Sequence, residues 1–177
     1  MDFEILESKS LFSGRVFELR REKVRYPDGR QVTVDVIAHG GAVVMAPLDA
    51  DNHLWFVRQY RHATGEMLLE LPAGTLEAGE PPEDCAQREL REEIGMSAGE
   101  MRKVGEFFLA PGYSNEFMHV YLATHLREAP LALDEGEYLK VERYPLNEVL
   151  EMLDGGQFRD AKTLAALSLA RPHLTVS

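Results

Sequence analysis

The segment GTLEAGEPPEDCAQRELREEIGM, residues 74–96, constrains the fold more than any other part of the chain. Pro81 and Pro82 favour a helix start, because the first helical turn needs no amide donor from proline. Gly95 favours a left-handed stop at the other end. The segment therefore predicts a helix over residues 82–94. Its buried stripe is expected to consist of Cys85, Ala86 and Leu90.

Three acidic residues of this helix fall on one face. Glu89, Glu92 and Glu93 are three and four positions apart, which places their carboxylates within one turn. Each like-charge pair costs about 0.2–0.5 kcal/mol, and anions near a helix C-terminus also oppose the helix dipole. Arg88 and Arg91 offset part of this repulsion by pairing. Because hard cations such as Mg²⁺ or Mn²⁺ prefer oxygen ligands, the pattern favours a metal site over a solvated charged face.

Strand-like and helical segments alternate around this helix. An N-terminal hairpin is predicted from residues 16–26 and 32–38, which flank the turn PDG. Further strands are predicted at residues 42–48, 53–60, 68–74, 103–110, 116–126 and 139–146. Residues 147–153 and 161–170 are predicted to be helices, the second of which ends before Pro172. This order predicts an α/β sandwich, in which a mixed sheet carries helices on its faces.

The length and charge of the chain restrict its class and partners. A chain of 177 residues suits one domain, over residues 1–177, and its single cysteine excludes an internal disulfide. A net charge of −11 disfavours binding to nucleic acid or to anionic lipid. No apolar run approaches about 18 residues, and the N-terminus lacks the layout of a secretory signal. We therefore expect a cytoplasmic protein that binds neither nucleic acid nor membrane.

The segment 74–96 also fits the Nudix box without a gap: Gly, five residues, Glu, seven residues, then R-E-U-x-E-E-x-G-U, where U is bulky and apolar. The matching residues are Gly74, Glu80, Arg88, Glu89, Leu90, Glu92, Glu93, Gly95 and Met96. On these residues the chain resembles the Nudix hydrolases, which split a nucleoside diphosphate linked to another group. The resemblance implies a Nudix-type α/β/α sandwich with a mixed sheet and an N-terminal antiparallel hairpin. Pro81 departs from many members, which have a Ser or Asp there whose capping oxygen is worth about 1 kcal/mol.

The resemblance implies a divalent cation, Mg²⁺ or alternatively Mn²⁺, bound by the box. By matching positions, Glu89 and Glu93 would be the principal ligands. Glu92 would share the ions, and the backbone carbonyl of Ala73 would complete the site. Arg88 would hold the carboxylates in place; the alternative is a surface ion pair that contributes little.

The loop before the helix is expected to take part as well. Gly74 suits a place where the backbone approaches a phosphate or metal closely, although an ordinary turn glycine is the alternative. Glu77 and Glu80 would bind water or metal indirectly, or else be solvated loop residues.

Three segments outside the box resemble the ADP-ribose pyrophosphatase subgroup. They are RQYR at 58–61, LPAG at 71–74 and APGYSNE at 110–116. The subgroup splits ADP-ribose into AMP and ribose 5-phosphate. Arg61 would contact the diphosphate or the terminal ribose, and Glu70 would help to orient the substrate. The proline-containing loop would add the substrate-binding residues Pro111, Ser114 and Glu116.

A general base is expected late in the chain, where the subgroup has a mobile acidic loop. Residues 132–141 occupy that position here, with Glu135 as the predicted base and Glu137 as the second choice. In some relatives the base belongs to the box, so Glu92 and Glu93 remain alternatives. The distance to the attacking water distinguishes these candidates, because a base must lie within about 3 Å of that water.

Residues 1–40 are expected to bind the nucleobase and to form a homodimer. Arg15 and Val16 occur where several relatives have an aromatic ring, and Arg can stack on a base. The base preference therefore stays open, and another nucleoside diphosphate sugar such as GDP-mannose is the alternative substrate. A hairpin cannot bury both of its faces alone, which favours a homodimer. The non-enzymatic alternatives are a ligand sensor on the same fold and a plain Ca²⁺-binding or structural protein.

Overall fold

Two compact units make up the computed structural model, which describes residues 2–133 and 138–174. The first unit consists of Met1–Gly41 and Phe108–Phe117, and the second of Ala42–Phe107 and Met118–Ser177.

The first unit contains a three-stranded antiparallel sheet in the order β1-β2-β3. Its strands are β1 (Glu4–Ser13), β2 (Phe17–Arg25) and β3 (Gln31–His39). The β2–β3 hairpin confirms the prediction, and Gly29 at its turn has a φ of 85°. Strand β1 was not predicted, because its residues are nearly all exposed and show no alternation of apolar and polar side chains. The amide of Ile37 donates to the carbonyl of Tyr113, which attaches the segment 108–117 to β3.

The second unit contains two sheets. A mixed four-stranded sheet has the order β7-β4-β9-β8, in which β4 pairs parallel to β9 and antiparallel to β7. An antiparallel three-stranded sheet has the order β10-β5-β6. The strands are β4 (Ala42–Pro47), β5 (His53–Arg61), β6 (Glu66–Glu70), β7 (Ala73–Thr75), β8 (Met96–Phe108), β9 (Phe117–Glu128) and β10 (Leu139–Pro145).

In the described part of the chain, three α-helices cover these sheets: α1 (Pro82–Glu93), α2 (Leu146–Asp154) and α3 (Ala161–Ala170), followed by a short 3₁₀ turn at Arg171–His173. Strand β4 contacts both α1 and α3, and all of its residues are buried. A strand covered on both faces reads as a continuous apolar run, as AVVMAP does. This layering confirms the predicted α/β/α sandwich. No α-helix among the described residues combines the length and the apolar character that a bilayer span requires.

The helix α1 follows the sequence prediction closely. Pro81 is its N-cap and makes no side-chain hydrogen bond, and Gly95 follows its C-terminus with a φ of 71°. Cys85, Ala86 and Leu90 are fully buried, as expected. They pack in the core of the second unit against residues of three strands, among them Val43, Met45, Val57 and Tyr121.

The segment 68–74 was predicted to be a single extended piece, but the structure divides it. It contributes to β6 and to β7, which belong to different sheets. Pro72 lies between the two strands, and its carbonyl accepts a hydrogen bond from the amide of Met45. Proline has no amide donor, so a continuous ladder cannot run through this position.

Candidate active site

Arg88 on α1 gathers three carboxylates. Its Nε and Nη2 donate to Oε1 and Oε2 of Glu80, at 2.9 and 3.0 Å. Its Nη1 donates to Oε1 of Glu89 at 2.7 Å and to Oε2 of Glu92 at 2.9 Å. All four side chains are largely buried. The guanidinium of Arg88 therefore holds Glu89 and Glu92 side by side despite their repulsion, which is far more than a surface ion pair does.

Arg88 also changes the pKa of its partner Glu80. Its hydrogen bond lowers the pKa of Glu80 to about 2, although partial burial opposes the shift. The pKa of Arg88 is in turn raised, chiefly by its hydrogen bond with Glu80. Glu80 also accepts a hydrogen bond from the amide of Glu77 at 3.0 Å, which ties the loop before α1 to this cluster. Glu77 itself is exposed.

Gly74 on β7 lies directly beneath the side chain of Glu89. A Cβ atom at position 74 would meet Cδ of Glu89 at 1.8 Å and Oε1 at 1.9 Å. Neither distance is tolerable, so only glycine fits here while Glu89 keeps its place. The need for glycine at this position is thus steric, and it arises from the closeness of the strand to the helix carboxylate.

Glu93 contacts the backbone of β7. It is 4% exposed, and its Oε2 accepts a hydrogen bond from the backbone amide of Ala73 at 3.0 Å. This bond fastens the C-terminal turn of α1 to β7. Within residues 2–133 and 138–174 no group of three His, Cys, Asp or Glu side chains is arranged to hold a metal ion.

The chemistry of the donors nevertheless fits a hard divalent cation. Glu89, Glu92 and Glu93 offer oxygen atoms alone, and the backbone of Ala73 lies beside them. Together with Glu80 they outnumber the positive charge of Arg88. Space is also provided at Gly74, where the absent Cβ lets a carboxylate rest on the strand. Oxygen-only sites with surplus negative charge suit Mg²⁺ or Mn²⁺.

A second ionic cluster lies at the ends of β5 and β6. Nε and Nη2 of Arg61 donate to the two carboxylate oxygens of Glu70, at 2.8 and 2.6 Å. Lys162 on α3 also donates to Oε2 of Glu70, and its Nζ lies 3.0 Å from Oδ2 of Asp160. Burial raises the pKa of Glu70, but Arg61 and Lys162 outweigh this effect and hold it below its ordinary value. The structure thus brings together Arg61 and Glu70, both of which the sequence suggested.

Lys162 was missed by sequence reasoning. It is separated from Glu70 by 92 positions, and no local motif marks it. A partial signal exists in Asp160, a good N-cap residue, whose carboxylate accepts from the amide of Thr163 at 2.9 Å. That signal locates the start of α3 but not the partner of Lys162.

The other predicted residues belong to the first unit or lie outside the described residues. Arg15 and Val16 connect β1 to β2, and both are exposed. Ser114 is buried, and its Oγ accepts a hydrogen bond from the amide of Glu116 at 3.1 Å, while Pro111 is exposed. The predicted bases, Glu135 and Glu137, lie outside the described residues.

Comparison with known proteins identifies a family and several relatives. The sequence model of the NUDIX domain family matches residues 38–167 of this chain. An ADP-ribose pyrophosphatase of Mycobacterium tuberculosis is 41% identical over 169 residues, covering 94% of this chain and 82% of the relative. A GDP-mannose pyrophosphatase of Salmonella typhimurium is 33% identical over 76% of this chain and 75% of its own length. A solved structure of an ADP compounds hydrolase superposes with a TM-score of 0.85 at 27% identity, over 98% of this chain and 95% of that one.

Proposed function

This chain belongs to the NUDIX domain family, and we propose that it hydrolyses the diphosphate bond of ADP-ribose to give AMP and ribose 5-phosphate. One observation carries the proposal: Arg88 holds the carboxylates of Glu89 and Glu92 together, and Glu89 lies against Gly74, so that the residues of the Nudix box meet at one place. The similarity to an ADP-ribose pyrophosphatase over nearly the whole chain supports the choice of substrate.

The acidic residues of α1 would hold the divalent cation, for which Mg²⁺ is the proposed identity and Mn²⁺ the alternative. Glu89, Glu92 and Glu93 would supply side-chain oxygens, and Ala73 its backbone carbonyl. When bound, such a cation neutralises diphosphate charge and lowers the pKa of a bound water. Arg88 keeps two of these carboxylates next to each other through Nη1, and they would have to turn towards a cation in order to bind it.

Arg61 would bind the diphosphate or the neighbouring ribose. Glu70 engages its Nε and Nη2, which fixes the plane of the guanidinium. Arginine presents its remaining donors in a rigid fork that matches phosphate oxygens. Glu70 therefore acts on the substrate by orienting Arg61 rather than by direct contact.

Proton removal from the attacking water is assigned to Glu135, with Glu137 as the second choice. A carboxylate in that role must come within about 3 Å of the water. Glu93 is a weaker candidate, because its Oε2 is engaged by the amide of Ala73. Glu92 is likewise engaged, by Arg88.

Arg15 and Val16 would bind the nucleobase, and Pro111, Ser114 and Glu116 would add further substrate contacts. Glu77 would bind water or metal indirectly. Arg15 and Val16 leave the base preference open, because neither is the aromatic residue that several relatives have. GDP-mannose is therefore the second candidate substrate, and the Salmonella relative favours it.

The first unit would also form the interface of a homodimer. Phe12, Val16 and Phe17 are exposed there by 56, 50 and 41%, and exposed apolar side chains of this size mark interaction surfaces when they are contiguous. The rings of Phe12 and Phe17 are 6.2 Å apart, so these two at least form one patch. Light scattering at micromolar concentration should give twice the chain mass of 20.0 kDa; a monomeric mass would refute this part of the proposal.

A substrate panel tests the activity. ADP-ribose, GDP-mannose, UDP-glucose, NADH and diadenosine polyphosphates would be incubated with Mg²⁺, and the products identified by chromatography. We expect the largest kcat/KM for ADP-ribose, with AMP and ribose 5-phosphate as products and no turnover in EDTA. A larger kcat/KM for GDP-mannose would establish the second candidate instead.

A further inference from the structure

Glu70 is buried between two cations that belong to different parts of the second unit. Its side chain is 1% exposed. Arg61, at the end of β5, engages both carboxylate oxygens, and Lys162, at the start of α3, shares Oε2 with Arg61. A buried carboxylate needs compensation by charge or hydrogen bonds, but Arg61 alone already supplies a bidentate pair. The presence of Lys162 therefore has to be explained by more than the neutralisation of Glu70.

One edge of the Arg61 guanidinium makes no hydrogen bond to the described residues. Glu70 occupies its Nε and Nη2, whereas its Nη1 makes no hydrogen bond with residues of the described part of the chain. The side chain of Arg61 is 38% exposed, so this edge is accessible to a ligand. The pKa of Arg61 is raised chiefly by its hydrogen bonds with Glu70 and more weakly by the charge of Glu93, the one α1 carboxylate among the causes of this shift.

We propose that Lys162 is a positioning residue for Arg61: by binding Oε2 of Glu70, it fixes the carboxylate that aims the free edge of Arg61 at the substrate diphosphate. This inference rests on the proposed function. An Arg61–Glu70 pair alone would carry no net charge, and a phosphate that drew Arg61 away would leave Glu70 buried without a cation. Lys162 removes this conflict because Glu70 keeps a positive partner while Arg61 shares its donors with the phosphate.

A purely structural role, attachment of α3 to the sheet, explains Lys162 less well. That attachment has other contacts: the amide of Leu71 donates to Oγ1 of Thr163 at 2.9 Å, and Arg159 pairs with Glu66 of β6. Arg159 also provides a matched control. It is a cation just before α3 that pairs with a carboxylate of β6, as Lys162 does, but its side chain is 69% exposed and its partner is not Glu70.

The test compares Lys162→Met, Lys162→Arg and Arg159→Met with the wild-type chain in Mg²⁺-dependent hydrolysis of ADP-ribose. For Lys162→Met we expect a KM increase of about tenfold with kcat reduced by less than about threefold, because binding and not chemistry is impaired. Lys162→Arg retains the cation and should restore KM to within about threefold. Arg159→Met should leave both constants unchanged, although it removes the same charge.

An unchanged KM in Lys162→Met would overturn the inference, and so would an equal rise in KM in Arg159→Met. If circular dichroism shows that Lys162→Met does not fold, Lys162→Gln takes its place under the same criteria. Binding of inorganic pyrophosphate, measured by calorimetry, separates this inference from the proposed function. Should the wild type fail to hydrolyse ADP-ribose, about tenfold weaker pyrophosphate binding in Lys162→Met alone would still support the role of Lys162, whereas equal affinities would refute it.

Discussion

Replacement of Gly74 by alanine should disable the site through a single methyl group. The new Cβ would lie 1.8 Å from Cδ of Glu89, whereas ordinary contacts begin near 3.4 Å. The difference between these distances means that the carboxylate has to move by about 1.6 Å. That movement breaks the 2.7 Å hydrogen bond from Nη1 of Arg88. Because a misplacement of about 1 Å can cost about 100-fold in rate, we expect kcat to fall about 100-fold or more.

Stability should change much less than activity. An off-rotamer side chain costs about 0.5–1.5 kcal/mol, and water can replace part of the lost hydrogen bond at a site that is not fully enclosed. We therefore expect Gly74→Ala to lose about 1–2 kcal/mol, a decrease in Tm of about 2–8 °C for a chain of this length. Hydrolysis of ADP-ribose and thermal melting by circular dichroism measure the two effects separately.

A double-mutant cycle tests whether the clash with Glu89 causes the loss of stability in Gly74→Ala. The three heavy atoms nearest to the new Cβ are Cδ, Oε1 and Cγ of Glu89, and Glu89→Ala removes all three. If the clash is the cause, Gly74→Ala should lower Tm in the wild-type chain but not in Glu89→Ala. The steric explanation would be refuted if Gly74→Ala kept more than about a third of wild-type turnover, or if it destabilised both backgrounds equally.

Three further predictions concern the acidic residues. The pKa of Glu80 is about 2 instead of 4.5, so its stabilisation is complete above about pH 4.5 and lost as the pH falls towards 2. Arg88→Met should flatten this loss in acid denaturation, and an unchanged pH profile would contradict the pairing. Glu93→Gln should abolish hydrolysis without unfolding, because the amide oxygen can still accept from Ala73; persistent turnover would remove Glu93 from the mechanism. Glu135→Gln should lower kcat by about 100-fold with metal affinity unchanged by calorimetry, and a merely twofold decrease would favour Glu137 or the box.

Local sequence was sufficient where the cause of the structure is local. The bounds of α1 follow from Pro82 and Gly95, and its buried stripe follows from the helical period, so helix and stripe were both predicted correctly. The holding of Glu89 and Glu92 by Arg88 was expected from the positions that match the Nudix box. The hydrogen bonds from Arg88 to Glu80 were not expected, because they depend on the path of the loop between these two residues.

Contacts between distant segments escaped prediction. Strand β1 pairs with β2 although its own residues show no periodic pattern, so its existence depends on its partner. Lys162 escaped for the same reason, since its meeting with Glu70 depends on how α3 packs. The piece 68–74 is extended as predicted but is divided at Pro72 between two sheets, and which sheet each part joins depends on strands distant in the sequence.

The hydrogen bonds between Arg88 and its neighbouring carboxylates affect the stability of α1 when no metal is bound. Arg88 acts as an internal counter-ion, so the acidic helix can stay folded in the apo state instead of depending on metal for its folding, as many small metalloproteins do. A divalent cation that bound these carboxylates would compete with the guanidinium of Arg88 and would be bound less tightly as a result. Such a site would load and release its ion readily with each substrate.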